Sequence, residues 1–466
     1  MSGTKSYFFC GIGGSGMLPL AAIVRGRGDR VSGSDRALDQ GRTAAKFDYL
    51  SGQGIDLYPQ DGSGLRAGQI LVASAAVEES VPDVQAARRL GLERITRADL
   101  LSRLFNAAET GIAVGGTSGK STVTGMIAWI LQRAGLEPTA MNGAVMKNFV
   151  TSDAPFASAL VGAGRVFVSE VDESDGSIAL YRPKVAVLNN VSLDHKSMEE
   201  LRALFGDFLG RAETAVINLD DPETAALAGS IPPDRRLTFS FSDPSADLYS
   251  VGIDNMGGMV RFAVRDRPGD DHHMVSLPLW GSHNARNALA ALAATVAAGV
   301  PLEAAAESLG HFMGLRRRFE EVGERNGILV IDDFGHNPDK IAATLRAARS
   351  YLRGRLLLFF QPHGYGPLRA MRRELVAAFA EGMSGEDVLV LCDPVYYGGT
   401  VERTVTSADI VADVRTAGRL AEHIPDRSEA GRRLAALARP GDRILVMGAR
   451  DDTLSQFAAE VLESLP

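Results

Sequence analysis

An α/β protein of three domains is predicted, on three observations. Apolar strand-like runs alternate with amphipathic helical stretches along nearly all of the 466 residues. The alternation restarts twice, each time behind a glycine-rich or charged punctuation. Finally, 466 residues exceed what one hydrophobic core organises. The boundaries read as 1–108, 109–313 and 314–466.

The first segment opens with the strand Tyr7–Cys10 and continues through Gly11-Ile-Gly13-Gly14-Ser15-Gly16 into a helix bearing Ala21, Ala22 and Val24. A second strand ends at Ser34-Asp35, with the acid 19 positions after Gly16. This βαβ unit is Rossmann-like: its tight turn brings a helix N-terminus up to negative charge. A nicotinamide, a flavin or any other diphosphate fits that pattern equally. Further units follow at Gln69–Ala75 and Val81–Leu90, and the pattern closes near Ala108.

The central segment carries the sharpest signal, Ala113-Val-Gly-Gly-Thr-Ser-Gly-Lys-Ser-Thr122, between the strand residues 111–114 and a helix expected over Thr122–Leu131. Backbone N–H groups of Gly116, Thr117, Ser118, Gly119 and Lys120 suit phosphate oxygens; the Lys120 ammonium suits the β and γ phosphates, and the Ser121 hydroxyl suits Mg²⁺. Val114 stands where the general P-loop carries its first glycine, so this is the shorter Gly-Thr-x-Gly-Lys-Ser variety. Buried parallel strands are expected at Arg165–Glu170, Val185–Asn190 and Ala215–Asn218. A small antiparallel excursion is expected over 243–278, before a helix at Asn284–Ala298. The last segment alternates strands (328–331, 356–360, 387–391, 443–447) with helices (338–350, 368–380, 427–438), a second Rossmann-like α/β domain.

Carboxylates at strand ends beside a phosphate loop can bridge a divalent ion to nucleotide. Glu170 leads the run Glu170-Val-Asp172-Glu173-Ser-Asp175 and is the best metal candidate; Asp172, Glu173 and Asp175 read individually as a solvated loop. The next strand ends in Asn189-Asn190-Val-Ser-Leu-Asp194-His195, which makes His195 a second candidate ligand. Asn284 and Asn287, one helical turn apart, match an adenine edge, although N-capping by Asn284 accounts for that residue alone. Arg316-Arg317-Arg318-Phe319 suits phosphate, and the carboxylates of Asp332-Asp333-Phe-Gly-His336-Asn-Pro338 suit ribose hydroxyls.

Composition excludes several classes. A net charge of −8 and a pI near 5.6 leave no basic excess for nucleic acid. Cys10 and Cys392, alone and far apart, read as buried small hydrophobes in a reducing compartment. No basic leader and no run of about 18 apolar residues appears, so a cytoplasmic protein without membrane insertion is expected.

Taken in order, Gly-Ile-Gly-Gly-Ser-Gly-Met, Gly-Thr-Ser-Gly-Lys-Ser-Thr, Glu-Val-Asp-Glu-Ser-Asp, Asp-His, Gly-x-His-Asn-x-x-Asn, Arg-Arg-Phe, Asp-Asp-Phe-Gly-His-Asn-Pro and Phe-Gln-Pro-His resemble the Mur ligase family over essentially the whole chain. The resemblance implies a UDP-sugar domain, a central ATPase and a C-terminal domain that swings in with an amino acid or peptide. It implies the cofactors ATP and Mg²⁺, the substrate UDP-N-acetylmuramate, and a monomer or homodimer serving peptidoglycan precursor synthesis. It also implies that Gly13, Gly14, Ser15 and Gly16 hold the UDP diphosphate, with Ser34, Asp35 and Ser74 near the nucleotide-sugar. Lys120 would hold ATP phosphates, and Ser121, Glu170 and His195 would hold Mg²⁺. Asn284 and Asn287 would meet adenine, Arg317 a phosphate and Asp333 the ribose, while His336 would stand where the substrates meet. The implied reaction phosphorylates the muramic carboxylate and captures the acyl phosphate with an amine.

Gly210 occupies the place where other branches carry a carbamylated lysine, as in the alanine-adding branch. That branch continues Phe-Gln-Pro-His with arginines, where this chain has Gly364 and Pro367. His363 remains, and Arg369 or Arg372 is the available substitute near the incoming amine. Two other classes stay open on the residues alone: a nicotinamide-linked oxidoreductase resting on Gly11–Gly16 and Asp35, and a non-catalytic nucleotide-binding module.

Overall fold

The computed structural model describes residues 4–75, 77–192, 196–267, 272–395, 403–449 and 451–466. They form two compact units, Met1–Gly314 and Leu315–Pro466.

The first unit contains two sheets. One is five-stranded and wholly parallel, in the order Asp56–Tyr58, Arg30–Ser34, Ser6–Cys10, Ile70–Ala73, Glu93–Thr96. Its central strand buries Phe8, Phe9 and Cys10, so apolar side chains face both layers as a doubly covered parallel sheet requires. Helix Met17–Gly26 starts directly after Gly16 and carries no acidic residue in its first turn, leaving its positive end uncompensated.

The second sheet has ten strands. From Leu248–Asn255 the order runs through Arg236–Ser240, Thr214–Asn218, Val185–Leu188, Thr110–Gly115 and Val166–Glu170 to Thr139–Met141, all parallel. The hairpins Leu248–Asn255, Val260–Asp266 and His272–Leu277 extend it antiparallel, where the excursion over 243–278 was expected. Helix Lys120–Arg133 is buried along nearly its whole length and packs on Ser282–Ala297. It begins two residues before the expected start, because Gly119 adopts a φ of 83° that turns the chain straight into the helix at Lys120.

The second unit is a six-stranded sheet in the order Glu320–Arg325, Ile328–Asp333, Arg443–Gly448, Leu356–Gln361, Val388–Leu391, Leu420–His423, antiparallel only at the first pair. The helix expected over 368–380 is two helices, Tyr365–Ala370 and Arg372–Gly382, broken at Met371 (φ −107°, ψ 15°). Short edge strands such as Asp56–Tyr58 and Glu320–Arg325, and helices such as Arg97–Asn106 and Met198–Gly210, lie outside the sequence-based reading. Both cysteines are buried and unbridged, and burial pushes each thiol up to about 12. Among the described residues no helix is long and apolar enough to cross a membrane.

Candidate active site

In the first unit, strand ends converge on the glycine-rich loop before helix Lys120–Arg133. Lys120 Nζ donates to both Glu173 carboxylate oxygens, at 2.7 and 3.0 Å, and to the Gly116 carbonyl at 2.7 Å. Glu173 is 5 % exposed, so the solvated-loop reading of that residue is corrected: it is a buried counter-ion. Ser121 Oγ donates to Glu170 Oε2 at 2.8 Å, which joins the two expected metal ligands on the described chain. His195 lies outside the described residues.

Asparagines hold the loop itself. Asn190 Oδ1 accepts from Ser118 N (2.8 Å) and Thr117 Oγ1 (3.0 Å), while its amide donates to the Ser118 carbonyl at 2.9 Å. Thr122 is buried in the first helical turn. Behind the loop, buried Asn189 donates to Asn287 Oδ1 at 3.0 Å, Asn287 donates to Asn284 Oδ1 at 3.1 Å, and Asn284 donates to the Trp280 carbonyl at 2.8 Å. The N-capping account of Asn284 is thereby corrected, since the cap position is Gly281 and Asn284 sits within the first turn. A side chain at Gly119 would overlap the Asn287 amide oxygen, so glycine is required there on space as well as on φ. Asn142, a buried residue without a sequence signal, donates to the Ser121 carbonyl at 2.9 Å and fixes the loop from the neighbouring strand end.

A cavity of about 480 Å³ connects this loop region to the amino-terminal glycine turn. Gly14, Ser15, Gly16 and Ser74 line it from one sheet, and Asn142, Gly143 and Glu170 from the other. Arg97 lines it too, 3.7 Å from Asp175 and packed over Gly16. Nothing in the sequence singles out Arg97; it reaches the cavity because its helix begins there, capped by Thr96 and Asp99. Ser34 and Asp35 are internally engaged. Ser34 is buried and donates to Asp83, whose carboxyl is held above its usual range by burial against the opposing bonds from Ser34 and Gly62. Asp35 accepts from Gly13 N at 2.9 Å and from Ala37 N at 2.8 Å, so this acid braces the glycine turn.

The second unit gathers the remaining candidates at the carboxyl ends of its parallel strands. Asp333 accepts from Phe319 N, Gly335 N and Thr344 Oγ1, each at 2.8 Å. His336 directs Nδ1 at the Phe334 carbonyl (2.8 Å), and its ring stands edge-on to His363, centroids 5.1 Å apart. Burial, followed by the charges of Lys340, His363 and Arg318, pushes His336 down to about 3; its imidazole is neutral, with Nδ1 donating and Nε2 the acceptor. Arg369 is exposed on Tyr365–Ala370, and Arg372 is paired with Asp413 at 2.7 Å. Arg317 departs from expectation. Its guanidinium is buried against Asp332 (3.3 Å) and donates to the Gly448 and Asp451 carbonyls, so in this conformation the fork serves the unit's interior instead of a phosphate.

Comparisons with known proteins cover all of these elements. Residues 6–109 match the Mur ligase family, catalytic domain; residues 114–295 the Mur ligase middle domain; and residues 317–450 the Mur ligase, glutamate ligase domain. The UDP-N-acetylmuramate–L-alanine ligase of Azorhizobium caulinodans is 34 % identical over 470 residues, spanning 97 % of this chain and 96 % of that protein. The same-named ligase of Cereibacter sphaeroides is 34 % identical over 97 % of this chain and 94 % of its own. Among solved structures, UDP-N-acetylmuramate-alanine ligase MurC from Thermotoga maritima shares the fold with a TM-score of 0.78 at 24 % identity, covering 98 % of each chain. A murein peptide ligase from Psychrobacter arcticus gives 0.73 at 23 % identity, over 99 % of this chain and 98 % of its own.

Proposed function

Because the chain belongs to the Mur ligase family and is an ATP-dependent ligase, we propose that it joins UDP-N-acetylmuramate to L-alanine in peptidoglycan precursor synthesis. The observation that carries this is the cavity running from the glycine turn at Gly14–Gly16 to Glu170, beside the loop that presents Lys120 and Ser121. One anionic substrate seated along it would reach the phosphate-transfer centre. In this reading residues 1–108 hold the UDP-sugar, 109–313 the ATP, and 314–466 the amino acid.

A muramic carboxylate oxygen attacks the γ-phosphorus, the bond to the β-phosphate oxygen breaks, and ADP leaves. The amine nitrogen then attacks the acyl carbon, inorganic phosphate departs, and the nitrogen loses a proton to leave an amide. Lys120 and the N-terminus of Lys120–Arg133, whose first turn has no acidic residue of its own, offset the phosphate charge; the corresponding end of Met17–Gly26 does so for the diphosphate, aided by Arg97. Ser121 and Glu170 are hard oxygen donors already in contact, a set that fits Mg²⁺ with His195 as a third ligand. That ion, when bound, neutralises phosphate oxygens. Asn284 stands at the start of its helix for the adenine, with Asn287 supporting Gly119 from below. His336 Nε2 is a neutral acceptor suited to the incoming amine, with the His363 ring 5.1 Å away. The nicotinamide alternative falls away because residues 6–109, the glycine turn and Asp35 included, match the Mur ligase family.

The test is phosphate release by the purified protein with ATP, UDP-N-acetylmuramate and a panel of L-alanine, glycine, L-serine and the L-alanyl-γ-D-glutamyl-meso-diaminopimelate tripeptide. Release that requires the UDP-sugar and is fastest with L-alanine is expected. Release indifferent to the UDP-sugar overturns the assignment. In the same assay Gly119→Ala raises KM for ATP by about tenfold or more, because a methyl there pushes against Asn287 and strains a positive φ. An unchanged KM would show that the loop does not need this close approach.

A further inference from the structure

Lys120 has three N–H donors, and all three are spent inside the protein: two on the Glu173 carboxylate and one on the Gly116 carbonyl. The pair is largely shielded, with the lysine side chain 19 % exposed and the glutamate 6 %. Nucleotide phosphates therefore do not meet an available ammonium; they must win it from a carboxylate.

The loop that carries Glu173 is built to hold it there. Asp172 accepts from the N–H and hydroxyl of Ser174, and Asp175 accepts from Ser177 N. Gly176, at a φ of 75°, returns its N–H to the Glu173 carbonyl. These turns fix the backbone on both sides of Glu173 and direct its side chain inward, away from the solvent that its acidic neighbours meet.

We propose that Glu173 is a positioning residue that competes with nucleotide for Lys120, holding the lysine in the empty loop and recapturing it as products leave. Phosphate entry replaces one anionic partner of Lys120 with another. The net affinity for nucleotide is then the difference between two charge-assisted contacts, smaller than either. The same competition acts on ADP, and recapture of Lys120 by Glu173 speeds its departure. The proposal rests on the reading of 113–122 as the ATP-phosphate loop.

The experiment compares ADP and a non-hydrolysable ATP analogue binding to the full chain and its Glu173→Gln and Glu173→Asp variants by calorimetry, together with steady-state kinetics. Glutamine keeps the shape and one neutral acceptor but removes the competing charge. Expected is a Kd for ADP lowered about tenfold in Glu173→Gln, with kcat reduced as product release slows and KM for ATP lowered. Glu173→Asp, which keeps the charge, should lie near the parent value. A Kd that is unchanged or raised in Glu173→Gln overturns the proposal, since loss of a merely structural contact loosens the loop and weakens binding. Failure of the parent chain to bind either nucleotide instead removes the phosphate-loop reading itself, which keeps the two outcomes distinct.

Discussion

Lys120→Ala lowers kcat/KM for UDP-N-acetylmuramate-dependent phosphate release by roughly a thousandfold, the upper part of the range for deleting one preorganised charge donor at a transition state. Two effects combine. The developing charge on the transferred phosphoryl group loses the loop's cation, and the buried Glu173 loses the ammonium it pairs with at 2.7 Å. The second effect destabilises the fold, so chemical denaturation accompanies the kinetics: a stability loss of about 1–3 kcal/mol is expected for a buried carboxylate that loses its two bonds to the ammonium. Combining Lys120→Ala with Glu173→Gln restores that stability while activity stays low. A single variant that retains more than a tenth of parental activity would sever the loop from the chemistry.

Arg317→Ala destabilises the carboxyl-terminal unit by about 3–5 kcal/mol, the cost of stranding one member of a buried ion pair. Arg317 ties together Asp332, the Gly448 carbonyl and the Asp451 carbonyl, and its guanidinium lies over the Phe334 ring. The loss depends on pH in a defined sense. Burial raises the Asp332 carboxyl to about 6, opposed by the charge of Arg317 and a bond from Ser455. An acid whose folded pKa lies above its unfolded one favours the native state at low pH and withdraws that support as pH rises through the folded value. Without Arg317 the folded value climbs further. The penalty is therefore reduced near pH 4, where Asp332 is protonated and only the bonds to the Gly448 and Asp451 carbonyls and the contact with Phe334 are lost, and near its full size at pH 8. Urea denaturation of parent and variant at these two pH values measures it. A penalty of equal size at both would show that Asp332 does not titrate in this range and that Arg317 acts through packing alone.

One basic and one acidic cluster illustrate what a sequence can and cannot carry. Arg316-Arg317-Arg318 announces a guanidinium cluster, but nothing in three successive arginines tells which one turns inward. The backbone at Arg317 is left-handed, with a φ of 59°, and the Asp332 carboxylate and the Gly448 and Asp451 carbonyls receive its fork. Glu173 is the converse case. Within Glu170-Val-Asp-Glu-Ser-Asp175 every acid looks alike, and only the turns about Asp172 and Asp175 bury one of them against a lysine 53 positions earlier. Asn142 and Arg97 carry no motif at all and line the cavity because a strand end and a helix start face it.

Local patterns alone were enough for the alternation of strands and helices, the glycine turn at Gly13–Gly16, the glycine turn between strand and helix at Gly116–Gly119 and the antiparallel excursion, because each is a short-range consequence of side-chain period or of backbone positions that need glycine. Family membership was legible for a related reason, since the motifs occur in a fixed order along the chain. Partner choice among charges was decided only in three dimensions. Whether an ammonium faces a carboxylate, a guanidinium faces a carbonyl, or Asp35 braces Gly13 depends on which strand ends the sheets bring together, and on the strong penalty for burying a charge without its complement.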